Sequence, residues 1–125
     1  MKVKKFTDEL NKVQELMSQE KYAEAITLLE GLKKIEKQGN FNYSLTHKLY
    51  QLDSNAQSLF NQQKILSLIF ELSQQNKSID FTELRIKLKE KEQIELDEPN
   101  LRREIEILIL RELLPCKIDE DKIVF

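Results

Sequence analysis

Glycine and proline are nearly absent, with two of each in 125 residues. All-β folds with many short strands punctuate them with these residues, so a β-sandwich is not expected. With only Gly31 and Gly39, no glycine-rich phosphate loop can be assembled. Cys116 is the sole cysteine. No internal disulfide can therefore form, and a reducing compartment is the natural setting. His47 is the sole histidine. Structural zinc takes four Cys or His ligands, twice what the chain owns. No apolar run reaches the length of a membrane-spanning helix. The opening Met1-Lys2-Val3-Lys4-Lys5-Phe6 has charge but no apolar core after it, which argues against a secretory signal. Cytoplasm or nucleus, without a membrane, is the resulting expectation. Neither sign of charge dominates: 20 basic side chains face 22 acidic ones, for a net charge of -2. Affinity for nucleic acid rests on neutralising phosphates, and this balance offers no help there.

What is present is helical grammar. Phe6, Leu10, Val13 and Met17 recur at spacings of three and four, predicting an amphipathic helix over 4–18. A break at Ser18-Gln19-Glu20 separates it from a second helix over 21–37, whose apolar positions are Tyr22, Ala25, Ile26, Leu29, Leu32 and Ile35. Gly39-Asn40 is expected to stop that helix, with Gly in the left-handed position. So short a link implies an antiparallel hairpin. Tyr22-Ala23-Glu24-Ala25-Ile26 resembles the second helix of a tetratricopeptide-like hairpin, but no second copy follows, which excludes a long solenoid. A shorter third helix is expected over 44–53, capped by Ser44, with a turn at Asp53-Ser54-Asn55. A fourth over 56–75 is apolar on more than one face, as a central helix is.

The grammar changes after Asn76. Ser78-Ile79-Asp80 reads as a short strand, and Asp80 with Glu83 as a capping box for a helix over 81–91. Asp97-Glu98-Pro99 opens another helix, running over 99–114 and ended by Pro115. Two β-prone runs, 116–119 and 122–125, flank Glu120-Asp121 and predict a hairpin. The expected core of this half is Leu66, Ile69, Phe70, Leu84, Leu88, Ile105, Leu108 and Ile109. The fold expected is mainly α: a helical hairpin and linker helix over 1–55, then a winged helix with a small antiparallel sheet over 56–125.

Residues 56–125 resemble the winged-helix half of a PCI domain, found in scaffold subunits of the proteasome lid, the COP9 signalosome and translation initiation factor three. The resemblance rests on Lys64-Ile65-Leu66-Ser67-Leu68-Ile69-Phe70-Glu71-Leu72, Ile79-Asp80-Phe81-Thr82-Glu83-Leu84, and Leu101-Arg102-Arg103-Glu104-Ile105-Glu106-Ile107-Leu108-Ile109. Ile118-Asp119 matches the end of the family's Gly-x-Ile-Asp signature, with Cys116 standing where the Gly would be. The resemblance implies a non-enzymatic assembly subunit working through protein–protein contacts. In that family, winged helices join edge to edge through their sheets. The corresponding edge here is one of the runs 78–80, 116–119 or 122–125. Ile123, Val124 and Phe125 are much apolar surface for an edge guarded only by Lys122, so partner subunits are expected around Lys122, Ile123, Val124 and Phe125, together with Arg102 and Arg103 of the third helix. Full subunits of the family carry more helical repeats and continue past the wing, where this chain stops at Phe125.

The alternative is a winged-helix nucleic-acid-binding domain of the transcription machinery, reading DNA with the third helix and wing. Arg102, Arg103 and Arg111 on that helix are matched by Glu104, Glu106 and Glu112, and the wing adds Asp119, Glu120 and Asp121. No specific nucleic-acid binding is expected from that balance. A further resemblance, of Leu28-Leu29-Glu30-Gly31-Leu32 to the N-terminal helical domain of elongation factors, conflicts with the terminal hairpin. No residue is singled out as catalytic, cofactor-binding or metal-binding, and no cofactor is expected. Cys116 reads as a buried structural thiol, His47 as a surface or partly packed side chain, and the Glu-rich runs as solvated helix faces.

Overall fold

Apolar spacing writes the first helices. The computed structural model describes residues 2–125, in which α1 spans Val3–Ser18 and α2 spans Tyr22–Gln38. Phe6, Leu10 and Val13 of α1 bury against Ala25, Leu29 and Leu32 of α2. The break between them is a hydrogen-bonded helix stop. Lys21 N–H donates to the Leu16 carbonyl at 2.9 Å and Glu20 N–H to the Met17 carbonyl at 3.0 Å. Glu20 supplies the left-handed residue this motif needs, at φ 61. Gly39 does not play that part. Its φ of -119 is extended, contrary to the expected left-handed stop. A side chain is disfavoured there for another reason: a Cβ would lie 2.8 Å from Cε2 of Phe41, whose ring stacks on Phe6 at 4.3 Å.

The largest departure from the sequence reading is α3, one continuous helix over Tyr43–Ser73. The expected turn at Asp53-Ser54-Asn55 does not form. Asp, Ser and Asn each cost only a few tenths of a kcal/mol to about 0.7 kcal/mol in a helix interior relative to Ala. Leu49, Leu52 and Ala56, buried on either side of the triplet, recover more than that by packing in register. Lys33 Nζ also reaches Asp53 Oδ2 at 3.1 Å from α2. Nor does Ser44 cap the helix. Asn42 does, its Oδ1 accepting from Leu45 N–H at 2.9 Å.

The chain divides into two compact units, the first reaching Phe60 and the second covering Asn61–Phe125. In the second unit the order is the C-terminal part of α3, β1 (Ser78–Asp80), α4 (Phe81–Glu92), α5 (Glu98–Leu110), β2 (Lys117–Asp119) and β3 (Lys122–Val124). This is a winged-helix arrangement, three helices and a small antiparallel sheet. Two caps set the helix starts. Asp80 Oδ1 accepts from Glu83 N–H at 2.7 Å, and Asp97 Oδ1 from Asn100 N–H at 2.8 Å. Helix α5 stops earlier than Pro115. Leu113 N–H bonds back to the Leu108 carbonyl at 3.0 Å and Glu112 takes φ 59, so the helix closes on its own carbonyls.

Of the expected core, Ile69, Leu84, Leu88, Ile105 and Leu108 are buried together. Leu66 and Ile109 are half-buried at its margin. Phe70 is not a core residue at all, being 70% exposed. It sits one position past Ile69 and so turns onto the outer face of α3. Leu108 is fully buried among Leu and Ile side chains. Leu108→Ala is expected to cost about 2–5 kcal/mol by opening a cavity, measured by urea unfolding. A loss below roughly 0.5 kcal/mol, the range of surface substitutions, would contradict this packing.

Candidate interaction surface

The sheet decides which backbone faces outward. Its strand order is β1-β3-β2, so β3 is the middle strand. Ser78, Ile79 and Asp80 pair with Val124, Ile123 and Lys122, while Lys117, Ile118 and Asp119 pair with the same three from the other side. The expectation of an unpaired edge at 122–125 is therefore corrected. Ile123 is fully buried, and the backbone of β3 is engaged on both flanks. The physical reason is topological: the two-residue turn returns the chain between β2 and β1, and Ile123 is the side chain of β3 that covers the core from there. A proline at Val124 would break an interior ladder. Lys122 and Val124 keep their side chains exposed, and Phe125 is half-buried.

Two hydrogen bonds fix the alternation along β3. Phe81 N–H donates to the Asp121 carbonyl at 2.9 Å and Phe125 N–H to the Lys77 carbonyl at 3.0 Å. Odd-numbered residues of β3 thus exchange hydrogen bonds with β1, and Lys122 and Val124 turn theirs to β2. Ile118, opposite Ile123, is then a non-hydrogen-bonded partner. Its N–H and C=O point away from the sheet, along the free side of β2. On the opposite flank, β1 runs directly into α4.

Arg102 and Arg103 have different positions from those a shared binding face requires. Arg102 is half-buried and lies across the wing. Its Nη2 donates to the Glu120 carbonyl at 2.7 Å, lies 3.7 Å from Glu98 Oε1, and its guanidinium sits 4.5 Å from the centre of the Phe81 ring. It clasps the wing turn to the starts of α4 and α5. Arg103 is exposed, 3.8 Å from Glu104 Oε1. Glu104 itself is buried and accepts from Gln62 Nε2 at 2.8 Å, and Arg111 Nη1 donates to Gln62 Oε1 at 3.1 Å. This relay ties α3 to α5 through polar atoms. Glu104 therefore belongs to the interior, where the sequence suggested an outer-face carboxylate.

The outer surface carries a groove of about 720 Å³ with no charged side chain among the described residues that line it. Leu66 and Phe70 of α3 form one wall, and Leu113, Pro115, Cys116 and Phe125 the other. Phe70 and Leu113 are well exposed there. Burial pushes the Cys116 thiol above its ordinary pKa, so it is a poor nucleophile at neutral pH. A second groove runs along β2 between Ile109, Leu110 and Ile118, and Cys116 lines both. Sequence reasoning missed Phe70, Leu110 and Leu113 as surface residues. The signal lies in the second apolar face of the segment at 56–75, a pattern that fits a covered helix and an uncovered one equally. His47 lies in the first unit with its ring stacked on Tyr43 at 5.8 Å.

No protein-family model matches this chain, and no curated protein or solved structure matches it either.

Arg102→Ala is expected to destabilise the second unit by about 0.5–1.5 kcal/mol through the lost hydrogen bond and ring contact. Arg103→Ala should stay within about 0.5 kcal/mol. Thermal or urea unfolding of the two variants distinguishes the half-buried residue from the exposed one, and equal effects would contradict the geometry.

Proposed function

We propose that this chain is a non-enzymatic, PCI-like assembly domain that holds other protein subunits through its winged-helix unit. The observation that carries the reading is the uncharged groove between α3 and the C-terminal segment. A surface that exposes Phe70 and Leu113 beside Pro115 and Phe125 loses free energy in water, at about 25 cal/mol per Å² of apolar area. Clustered apolar surface of this kind marks partner contacts. The order of elements in the second unit, which is that of a winged helix, supports the same reading. So does the free side of β2, where main-chain groups can take an added strand.

The alternative, a nucleic-acid-binding winged helix, has less support. Arg102 is committed to Glu120 and Phe81, Arg111 to Gln62, and the wing turn carries Asp119, Glu120 and Asp121. Exposed Arg103, Lys117 and Lys122 remain on the helix and wing, but exposed Glu106, Glu112, Asp119, Glu120 and Asp121 outnumber them, so the balance there does not favour phosphate.

The test uses Phe70→Glu. Because Phe70 is exposed, the substitution is expected to leave the helical circular dichroism unchanged. Tagged parent and variant chains are purified from the native source, and their co-purifying proteins are quantified by mass spectrometry. The parent is expected to bring down a defined set of subunits that the variant loses. Neither should show salt-dependent binding to duplex DNA. An unchanged set of partners with the variant would remove the groove as the interface. Tight, salt-sensitive duplex binding by the parent would favour the alternative.

A further inference from the structure

We infer that β2 pairs with β2 of a second copy of this chain, antiparallel about Ile118, joining two wings into one six-stranded sheet. This rests on the reading of the winged-helix unit as an assembly module and names one of its partners.

The backbone argument comes first. On the free side of β2, Ile118 is the strand residue that presents both N–H and C=O, since Lys117 and Asp119 spend theirs on Val124 and Lys122. An antiparallel mate that places its own Ile118 opposite this one satisfies both groups at once, with two reciprocal hydrogen bonds. A two-fold axis then passes between the isoleucines, which is the symmetry of an isologous dimer.

The side chains select the occupant. In that register Lys117 faces Asp119 of the second copy, and Asp119 faces its Lys117. An incoming antiparallel strand must therefore offer an acid opposite Lys117, an apolar residue opposite Ile118 and a base opposite Asp119. Read along its own chain that sequence is base, apolar, acid, which is Lys117-Ile118-Asp119 itself. The rows of the sheet extend the match. Asp80, Lys122 and Asp119 stand side by side across the three strands, with alternating sign. Lys117 of the second copy continues the alternation by one strand. Opposite charges directly across strands stabilise pairing, and like charges oppose it.

Apolar area supplements the short ladder. Lys117 and Asp119 are exposed, while Ile118 is half-buried on the core-facing side. On that side Ile109 and Leu110 line the groove along β2 together with the charged Glu106 and Lys117, and Leu110 is 82% exposed. The two-fold axis brings the two grooves together over the isoleucine pair. Strands of three residues bury less than a standard permanent interface, so the dimer is concentration-dependent.

The experiment is sedimentation velocity over a wide concentration range, with circular dichroism as the folding control. The parent is expected to shift from monomer to dimer. Lys117→Asp makes both cross-strand pairs acid against acid, and Asp119→Lys makes them base against base. Each variant alone should associate about tenfold more weakly than the parent. An equimolar mixture of the two should recover association. In the mixed pair the aspartate introduced at position 117 of one copy faces the lysine introduced at position 119 of the other. The unaltered Asp119 of the first copy faces the unaltered Lys117 of the second. A parent that stays monomeric, single variants that dimerise like the parent, or a mixture that does not recover would each overturn the proposal. None of these outcomes bears on whether Phe70→Glu loses its partners, so the dimer and the assembly reading fail separately.

Discussion

Ile123 is the residue on which the second unit closes. It is fully buried, it faces Ile79 on one strand and Ile118 on the other, and it lies in one cluster with Phe81, Leu84, Leu101, Ile105 and Leu108. Placing it there requires the chain to turn back within two residues and enter between β2 and β1. Once β3 occupies the middle, β1 and β2 become the flanks. β1 leads straight into α4, and β2 keeps a free side. The register that buries Ile123 also sets which main-chain groups of β2 are spent and which point outward. The core and the outer surface of the wing thus follow from one pairing.

Polar contacts hold the parts that the apolar core does not specify. A core of Leu and Ile is permissive about the angle between helices. The bond from Gln62 to buried Glu104, with Arg111 behind it, permits one alignment of α3 against α5. Arg102 does the same for the wing turn, reaching from α5 to the Glu120 carbonyl across the face of Phe81. Buried polar groups of this kind are costly unless satisfied. Here they also engage Arg102 and Arg111, basic side chains that would otherwise add to a positive face on α5.

The helical hairpin, the strand at 78–80, the capped start of α4 and the terminal turn are all legible in the sequence, because each is set by near neighbours. Apolar spacing, an Asp three residues before a Glu and two β-prone runs around an acidic pair act over a few residues at most. Where the local signal is weak and the packing strong, the reading fails. Asp53-Ser54-Asn55 disfavours helix only slightly, and Leu49, Leu52 and Ala56 carry α3 through it. Phe70 shows the limit from the other side: an apolar residue in an apolar helix gives no local sign of whether a neighbour will cover it.

The sequence by itself determined that this is a mainly helical chain with a short strand at 78–80 and a hairpin after its last helix, that Asp80 caps one helix and that Asp97-Glu98-Pro99 opens the next. Hydrogen bonds and side-chain spacing within one element suffice for that. Only the tertiary structure decided that β3 lies between β1 and β2, that Glu104 is inside, and that Phe70 and Leu113 are outside. Those outcomes depend on which strand arrives beside which and on which helix face a distant segment covers. Such contacts join residues far apart in the chain, as Gln62 joins Glu104, and no local pattern encodes them.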